Sequence, residues 1–518
     1  MHWWTNAVGY EVYIRSFADG NGDGIGDFAG LIERLDHLAW LGVDVVWVTP
    51  FYPSPQADFG YDVMDYTDID PQFGDLDTFD RLVERARQLG LRVMIDIVPN
   101  HTSDRHPWFL QALADPTSPY RDYYIFRPPG PDGGPPNNWI SNFGGPAWTL
   151  DPASGEYYCH LFLPQQPDLN WASEAVRAEF DRILTFWMER GVDGFRIDVA
   201  HALMKHPSFA DNPQIEPLPA NPTPRQAYKA FDHLYDQDQP TNRDIYRRWK
   251  SLPGGSEICL LGEVYLTDAE RSAAYMNVGG LDWALFFALN RRPWDPVAFA
   301  DEIRHWVRAA PTGFAWSIAS HDEHRPATRF GGGDEGLSRA IALWAALAML
   351  PGMPFLYQGE ELGLENGYVD PADVQDPVGM EAHHEGRDPC RTPMPWEPGP
   401  GQGFTTAERA WLRCALRPPG DTVAVQREDP GSTLNLYRRF LQLRRRQEVG
   451  SLGPAEWLEA GPGVVAFRRR DLTVVANLTD SGVEVDLDPA TTLIFDTGMK
   501  EATDEAAVPP RTTRIYTR

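Results

Sequence analysis

The sequence predicts an α/β protein built on a (β/α)8 barrel of the TIM type, with a loop-rich subdomain inserted after the third strand and a C-terminal antiparallel β-domain. Three observations predict it. Short apolar, β-branched runs alternate with longer amphipathic stretches as far as residue 446; two Pro-rich stretches interrupt that rhythm; and closely spaced strands follow it. Residues 1–101 and 169–448 are therefore assigned to the barrel, 102–168 to the insertion and 449–518 to a β-sandwich domain.

Residues 43–49 and 91–98 read as strands, being short, apolar and β-branched, whereas 28–41 and 78–89 carry the spacing of amphipathic helices. Further strands are expected at 192–199, 258–262, 313–319 and 353–357, with helices at 173–190, 296–309 and 337–350. Repeated βα units imply a parallel sheet, and this many suit a closed barrel better than an open doubly wound sheet. The first interruption, 101–170, is rich in Pro, Gly, Asn and aromatics, with only short strand-like pieces such as 156–163. The second, 206–243, follows the strand that carries Asp198 and is expected above the same end of the barrel. After a helix at 434–446, strands are expected at 464–467, 472–476, 483–487, 492–495 and 514–516.

With 518 residues and 42% hydrophobic content the chain can bury a large core. Its formal net charge of -28 repels nucleic acid and anionic membranes, and leaves a neutral substrate unaffected. Lysine occurs only at Lys205, Lys229, Lys250 and Lys500. Cys159, Cys259, Cys390 and Cys414 are widely separated and lack CxxC spacing, which argues for reduced core residues rather than disulfides or a zinc site. No basic stretch followed by an apolar run opens the chain, and no later run is long enough to span a bilayer, so a cytoplasmic location is expected. Oligomeric state stays open.

Catalytic groups of such barrels sit at the C-terminal ends of strands. In Gly194-Phe195-Arg196-Ile197-Asp198, alternation places Arg196 and Asp198 on one face, where the cation lowers the acid's pKa and keeps it ionised. A buried structural ion pair would explain the same pattern. Glu263 ends an apolar strand without an adjacent cation, conditions that favour a protonated acid. His101, Ser320-His321-Asp322 and Gly60-Tyr61-Asp62 follow other expected strands, and three carboxylates with two histidines at one mouth can divide acid, base and electrostatic roles.

Asp19-Gly20-Asn21-Gly22-Asp23-Gly24-Ile25-Gly26-Asp27 sets oxygen ligands at alternate positions, like the first half of an EF-hand loop. The twelfth position is Gly30 rather than a bidentate Glu, so an EF-hand is excluded, leaving a divalent-cation loop or a metal-free turn.

These residues resemble the α-amylase family of glycoside hydrolases, in particular its α-glucosidase and oligo-1,6-glucosidase branch. Its blocks appear in order as Asp96 to His101, Gln166-Pro167-Asp168-Leu169-Asn170, Gly194 to Asp198, Gly262-Glu263-Val264 and His321-Asp322. The resemblance implies that Asp198 is the nucleophile of a retaining mechanism, Glu263 the general acid and then base, and Asp322 the carboxylate that grips and distorts the sugar. It also implies that Arg196, His101 and His321 contact the sugar ring, that Tyr61 is an aromatic platform, and that Asp62 pairs with Arg387 to close the pocket behind a terminal glucose. Structural Ca²⁺, with Mg²⁺ as the other hard cation, would be held by Asp19, Asn21, Asp23, Asp27 and the carbonyl of Ile25. The implied substrate is a short α-glucoside with α-1,4 or α-1,6 links or both. An α-glucosyltransferase, a sucrose- or trehalose-active isomerase, and a non-catalytic transporter-associated protein are the alternatives. Ser320 departs from the family's usual Asn. Glu360 and Glu361 read as structural hydrogen-bond partners and Trp3, Trp4 and Trp47 as core, while Trp139 and Trp148 are placed along the cleft.

Overall fold

A computed structural model describes residues 2–277, 279–377, 386–488, 490–498 and 507–518. The barrel strands are β1 (Gly9–Val12), β2 (Val45–Val48), β3 (Arg92–Ile97), β4 (Gly194–Ile197), β5 (Cys259–Gly262), β6 (Trp283–Ala284), β7 (Phe314–Trp316) and β8 (Gly352–Tyr357). All pair in parallel, in the order β7-β8-β1-β2-β3-β4-β5-β6. A parallel bridge from Leu285 to Ala315, with Phe286 N–H donating to the Ala315 carbonyl at 3.0 Å, joins β6 to β7 and closes the barrel.

Side chains fill its interior: Val45, Trp47, Met94, Cys259, Leu261, Ala315, Met353 and Phe355 form one buried cluster. Gly9 has no side chain because a Cβ there would stand 2.1 Å from the Phe355 ring. Outside, helices Phe28–Leu41, Leu76–Gln88, Glu174–Glu189, Pro296–Ala309 and Gly333–Ala348 cover the strands with their apolar faces. Asp27, Asp75 and Asp295 cap three of these at their N-termini, accepting from otherwise unpaired amides.

The expected elements are present with shifted ends. The expected strand at 313–319 shortens to Phe314–Trp316, and 483–487 to Val483–Glu484. Strands β1 and β6 are additions to the expected set. The insertion folds around an antiparallel sheet of Phe126–Arg127, Glu156–Cys159 and Trp148–Asp151. Beyond helix Thr433–Arg446 lies an antiparallel sheet of five strands, joined to the barrel by Arg469 Nη1 on the Met349 carbonyl (2.8 Å) and Thr513 Oγ1 on that of Ala342 (2.7 Å). Cys159, Cys259, Cys390 and Cys414 are free thiols. Among the described residues no helix is long and apolar enough to cross a membrane.

Candidate active site

Because every barrel strand runs the same way, the residues following Ile97, Ile197, Gly262 and Trp316 gather at one mouth, around a cavity of about 900 Å³. Asp198, Glu263, Asp322, Tyr61, His101, Arg196, His321 and Arg387 all line it.

Arg196 organises the first half. Its Nη1 donates to Asp96 at 2.7 Å and Asp198 at 2.9 Å, and its Nη2 lies 3.0 Å from Glu263. Asp96, at the buried end of β3, also accepts from Trp47 Nε1 at 3.0 Å and Tyr61 Oη at 3.3 Å. Trp47 thus contributes to the cavity as well as to the core. One cation is shared by three carboxylates. Burial, and next the neighbouring Glu263 charge, push the Asp198 carboxyl well above its ordinary range despite Arg196. Arg196, shared with Asp96 and Glu263, therefore does not by itself hold the Asp198 carboxyl low, contrary to the expectation from the sequence.

Val199, next in the chain, has φ of 47°, an unusual conformation for a β-branched residue. That turn aims its amide at Glu263, which accepts from Val199 N–H at 3.0 Å.

Asp322 is surrounded differently. Arg391 Nη2 donates to it at 2.7 Å and Arg387 Nη1 at 3.2 Å, while His321 Nε2 lies at 3.4 Å. Burial alone would raise the carboxyl, yet His321, Arg387, Arg391 and Arg196 together hold it well below its ordinary value. The His321 ring is sandwiched between those of Tyr13 and Tyr61, with centroids 5.7 and 5.5 Å away, and its Nδ1 meets buried Glu11 at 2.5 Å. Ser320, in place of the family's Asn, accepts from the Asp322 amide at 3.2 Å and so shapes the turn that presents the carboxylate.

Arg387 reaches Asp58 at 2.8 Å and Asp376 at 2.7 Å as well as Asp322. The expected partner, Asp62, is elsewhere. Its carboxylate is fully buried and accepts from Ser54 Oγ at 2.9 Å and from the amides of Ala57 and Asp58 at 2.9 and 3.0 Å. Phe59 (φ 47°) and Gly60 (φ 103°) reverse the chain between the two aspartates, so Asp58 faces the cavity and Asp62 staples the turn beneath it. A Cβ on Gly60 would stand 2.9 Å from the Pro50 carbonyl.

His101 contacts the Tyr61 carbonyl at 3.0 Å and Gln166 Nε2 at 3.1 Å, and burial lowers its pKa. Behind it, Lys205 pairs with buried Asp168 at 2.8 Å and donates to Asn100 at 3.1 Å, tying the insertion to the mouth of the barrel. Trp139 and Trp148 pack against each other and Phe209 in the subdomain's own core and do not line the cavity, contrary to expectation. Glu361 accepts from Tyr10 Oη at 2.8 Å and Glu360 from the Tyr357 amide at 3.1 Å, as structural partners.

In the Asp19–Asp27 loop, Asp19 accepts from the amides of Gly22 and Gly24, Asp23 from that of Ile25, and Asp27 from those of Gly20, Asn21 and Gly30. Its donor set is all oxygen, which suits a hard divalent cation. Among the described residues no three His, Cys, Asp or Glu side chains converge as a metal centre.

The family model for the alpha amylase catalytic domain matches residues 11–452. A probable alpha-glucosidase of Rhizobium meliloti (strain 1021) is 41% identical over 481 residues, 90% of this chain and 87% of its own. The oligo-1,6-glucosidase of Parageobacillus thermoglucosidasius is 35% identical over 92% of this chain and 91% of its own. The crystal structure of an alpha-glucosyl transfer enzyme, XgtA, superposes with a TM-score of 0.91 at 37% identity, covering 100% of both chains. Match, barrel and carboxylate-lined mouth agree, and the chain belongs to the α-amylase family of glycoside hydrolases.

Proposed function

We propose that this glycoside hydrolase is an exo-acting, retaining α-glucosidase that releases terminal α-linked glucose from short oligosaccharides, through α-1,4 or α-1,6 links or both. The observation that carries the reading is Arg387, held by Asp58 and Asp376 against Asp322, a charged wall beside the Asp198/Glu263 pair. Such a wall leaves room for one terminal ring and obstructs an internal chain segment.

In this reading Asp198 attacks the anomeric carbon as the glycosidic C–O bond breaks, and Glu263 gives a proton to the departing oxygen. Glu263, now a carboxylate, takes a proton from water, whose oxygen attacks the same carbon and frees Asp198. Asp322, held toward its charged form by His321, Arg387 and Arg391, binds the sugar and opposes the positive charge developing on the ring. Two displacements retain configuration. Proton NMR of maltose and isomaltose hydrolysis is expected to show α-glucose first; β-glucose would overturn the reading.

The likeness to an alpha-glucosyl transfer enzyme favours a second outcome from the same intermediate, with a sugar hydroxyl replacing water. Trisaccharide formed at high maltose concentration would reveal transfer. We also propose that the Asp19–Asp27 loop binds Ca²⁺ as a stabilising ion, supported by its oxygen donors; chelator is then expected to lower Tm, and an unchanged Tm removes it. Four free thiols support a reducing compartment, the cytoplasm.

A further inference from the structure

The cavity wall beside Glu263 carries cations that the catalytic assembly does not use. Tyr265, two residues beyond Glu263, packs on Phe287 with ring centroids 5.0 Å apart, and the Arg291 guanidinium lies 6.0 Å from its ring. Arg291 is already paired with Glu323 at 2.6 Å. Arg225 and Lys229 line the same cavity from the short helix Pro224–Lys229, four residues apart and therefore on one face. Among the described residues neither side chain has an ion-pair or hydrogen-bond partner, in a chain of net charge -28 with only four lysines.

The charges acting on Lys229 are one carboxylate, Glu216, and three guanidiniums, Arg225, Arg291 and Arg292. Desolvation first, and then Arg225 and Arg291, push the Lys229 ammonium down from its ordinary pKa. At Tyr265 the charges felt are Arg291 and Glu323, which offset each other, Arg225, and the catalytic Glu263. With Glu216 the carboxylate that acts on Lys229, and neither Lys229 nor Arg225 in an ion pair among the described residues, this part of the cavity that also holds Glu263 carries an excess of positive charge.

We infer that the wall formed by Arg225, Lys229 and Tyr265 is a subsite for an anionic group, carboxylate or phosphate, carried on the aglycone of an α-glucoside. This rests on the reading above that Glu263 protonates the leaving group. A ring-bearing aglycone packs on Tyr265 and Phe287 while its anion meets the two cations.

The test compares 4-carboxyphenyl, 4-(phosphonooxy)phenyl and neutral 4-nitrophenyl α-D-glucopyranosides on the parent and on an Arg225→Gln/Lys229→Gln double variant. In the variant, kcat/KM for the carboxyphenyl substrate is expected to fall about fivefold or more, mainly through KM, with less than about twofold change for the nitrophenyl substrate. A larger fall for the phosphorylated probe than for the carboxylated one identifies phosphate as the preferred anion; the reverse identifies carboxylate. Equal changes on charged and neutral substrates, or none, overturn the subsite. Calorimetric binding of 4-hydroxybenzoate, expected to weaken in the variant, tests the subsite without turnover; equal binding overturns it. No turnover of the nitrophenyl glucoside by the parent would instead sink the glucosidase reading.

Discussion

Asp198 and Asp322 line one cavity, and their surroundings are inverted. Around Arg196 a single guanidinium serves three carboxylates; Asp322 by itself is met by two guanidiniums and an imidazole, of which Arg387 is shared with Asp58 and Asp376 and His321 with Glu11. The first arrangement leaves the Asp198 carboxyl raised above its ordinary pKa, and the second holds that of Asp322 below it. The number of cations that meet each carboxyl directly separates the two: one for Asp198, three for Asp322.

The harshest way to break the comparison is Asp198→Asn, which is expected to cut kcat by about 10⁴-fold or more with an unchanged circular dichroism spectrum. Parent-like turnover would remove Asp198 from the chemistry. Next, Asp322→Asn should lower kcat/KM by about 10²- to 10³-fold while leaving the acid limb of its pH profile in place, because Asp322 stays ionised far below that limb. A displaced limb would mean that the two carboxylates titrate together.

Arg387→Ala and Asp58→Ala should each raise KM for a nitrophenyl glucoside by about tenfold, and the double variant should do little more. Asp62→Ala, by contrast, is expected to lower stability by about 1–3 kcal/mol through three lost hydrogen bonds. Equal kinetic effects from Asp58 and Asp62 would erase the distinction drawn between them.

The smallest effect concerns a carboxylate outside the cavity. Burial lifts Glu360 from 4.5 to about 8. The folded protein keeps this proton where the unfolded chain has lost it, so its stabilising effect is complete below about 4.5 and disappears as pH rises through about 8. Glu360→Gln should therefore gain on the parent in urea midpoint between those values and hold that gain above them. A pH-independent difference would discard the assignment.

Much of this was legible in the chain. Helices 28–41 and 296–309 lie where their periodicity places them, and the segments bearing His101, Asp198, Glu263 and Asp322 do converge. Strand β1 was not, because Gly9-Tyr10-Glu11-Val12 offers neither an apolar run nor alternation; Glu11 is buried for its contact with His321. Strand β6 is two residues inside a longer apolar run. Asp58 and Asp62 share one loop, and only the reversal at Phe59 and Gly60 decides which turns inward. Trp139 and Trp148 look like sugar platforms until the subdomain's own core claims them. The raised pKa of Asp198 owes its second-largest share, after burial, to Glu263, which lies 65 positions away, beyond any local pattern.

At Val199 the group that touches Glu263 is an amide, common to every residue but proline. The side chain at the same position lines the cavity. A substitution there that tolerates the positive φ alters the shape lining the cavity and leaves the hydrogen bond to Glu263 intact. Substrate range can thus drift at this site while the chemistry stays constant, a division of labour within a single residue.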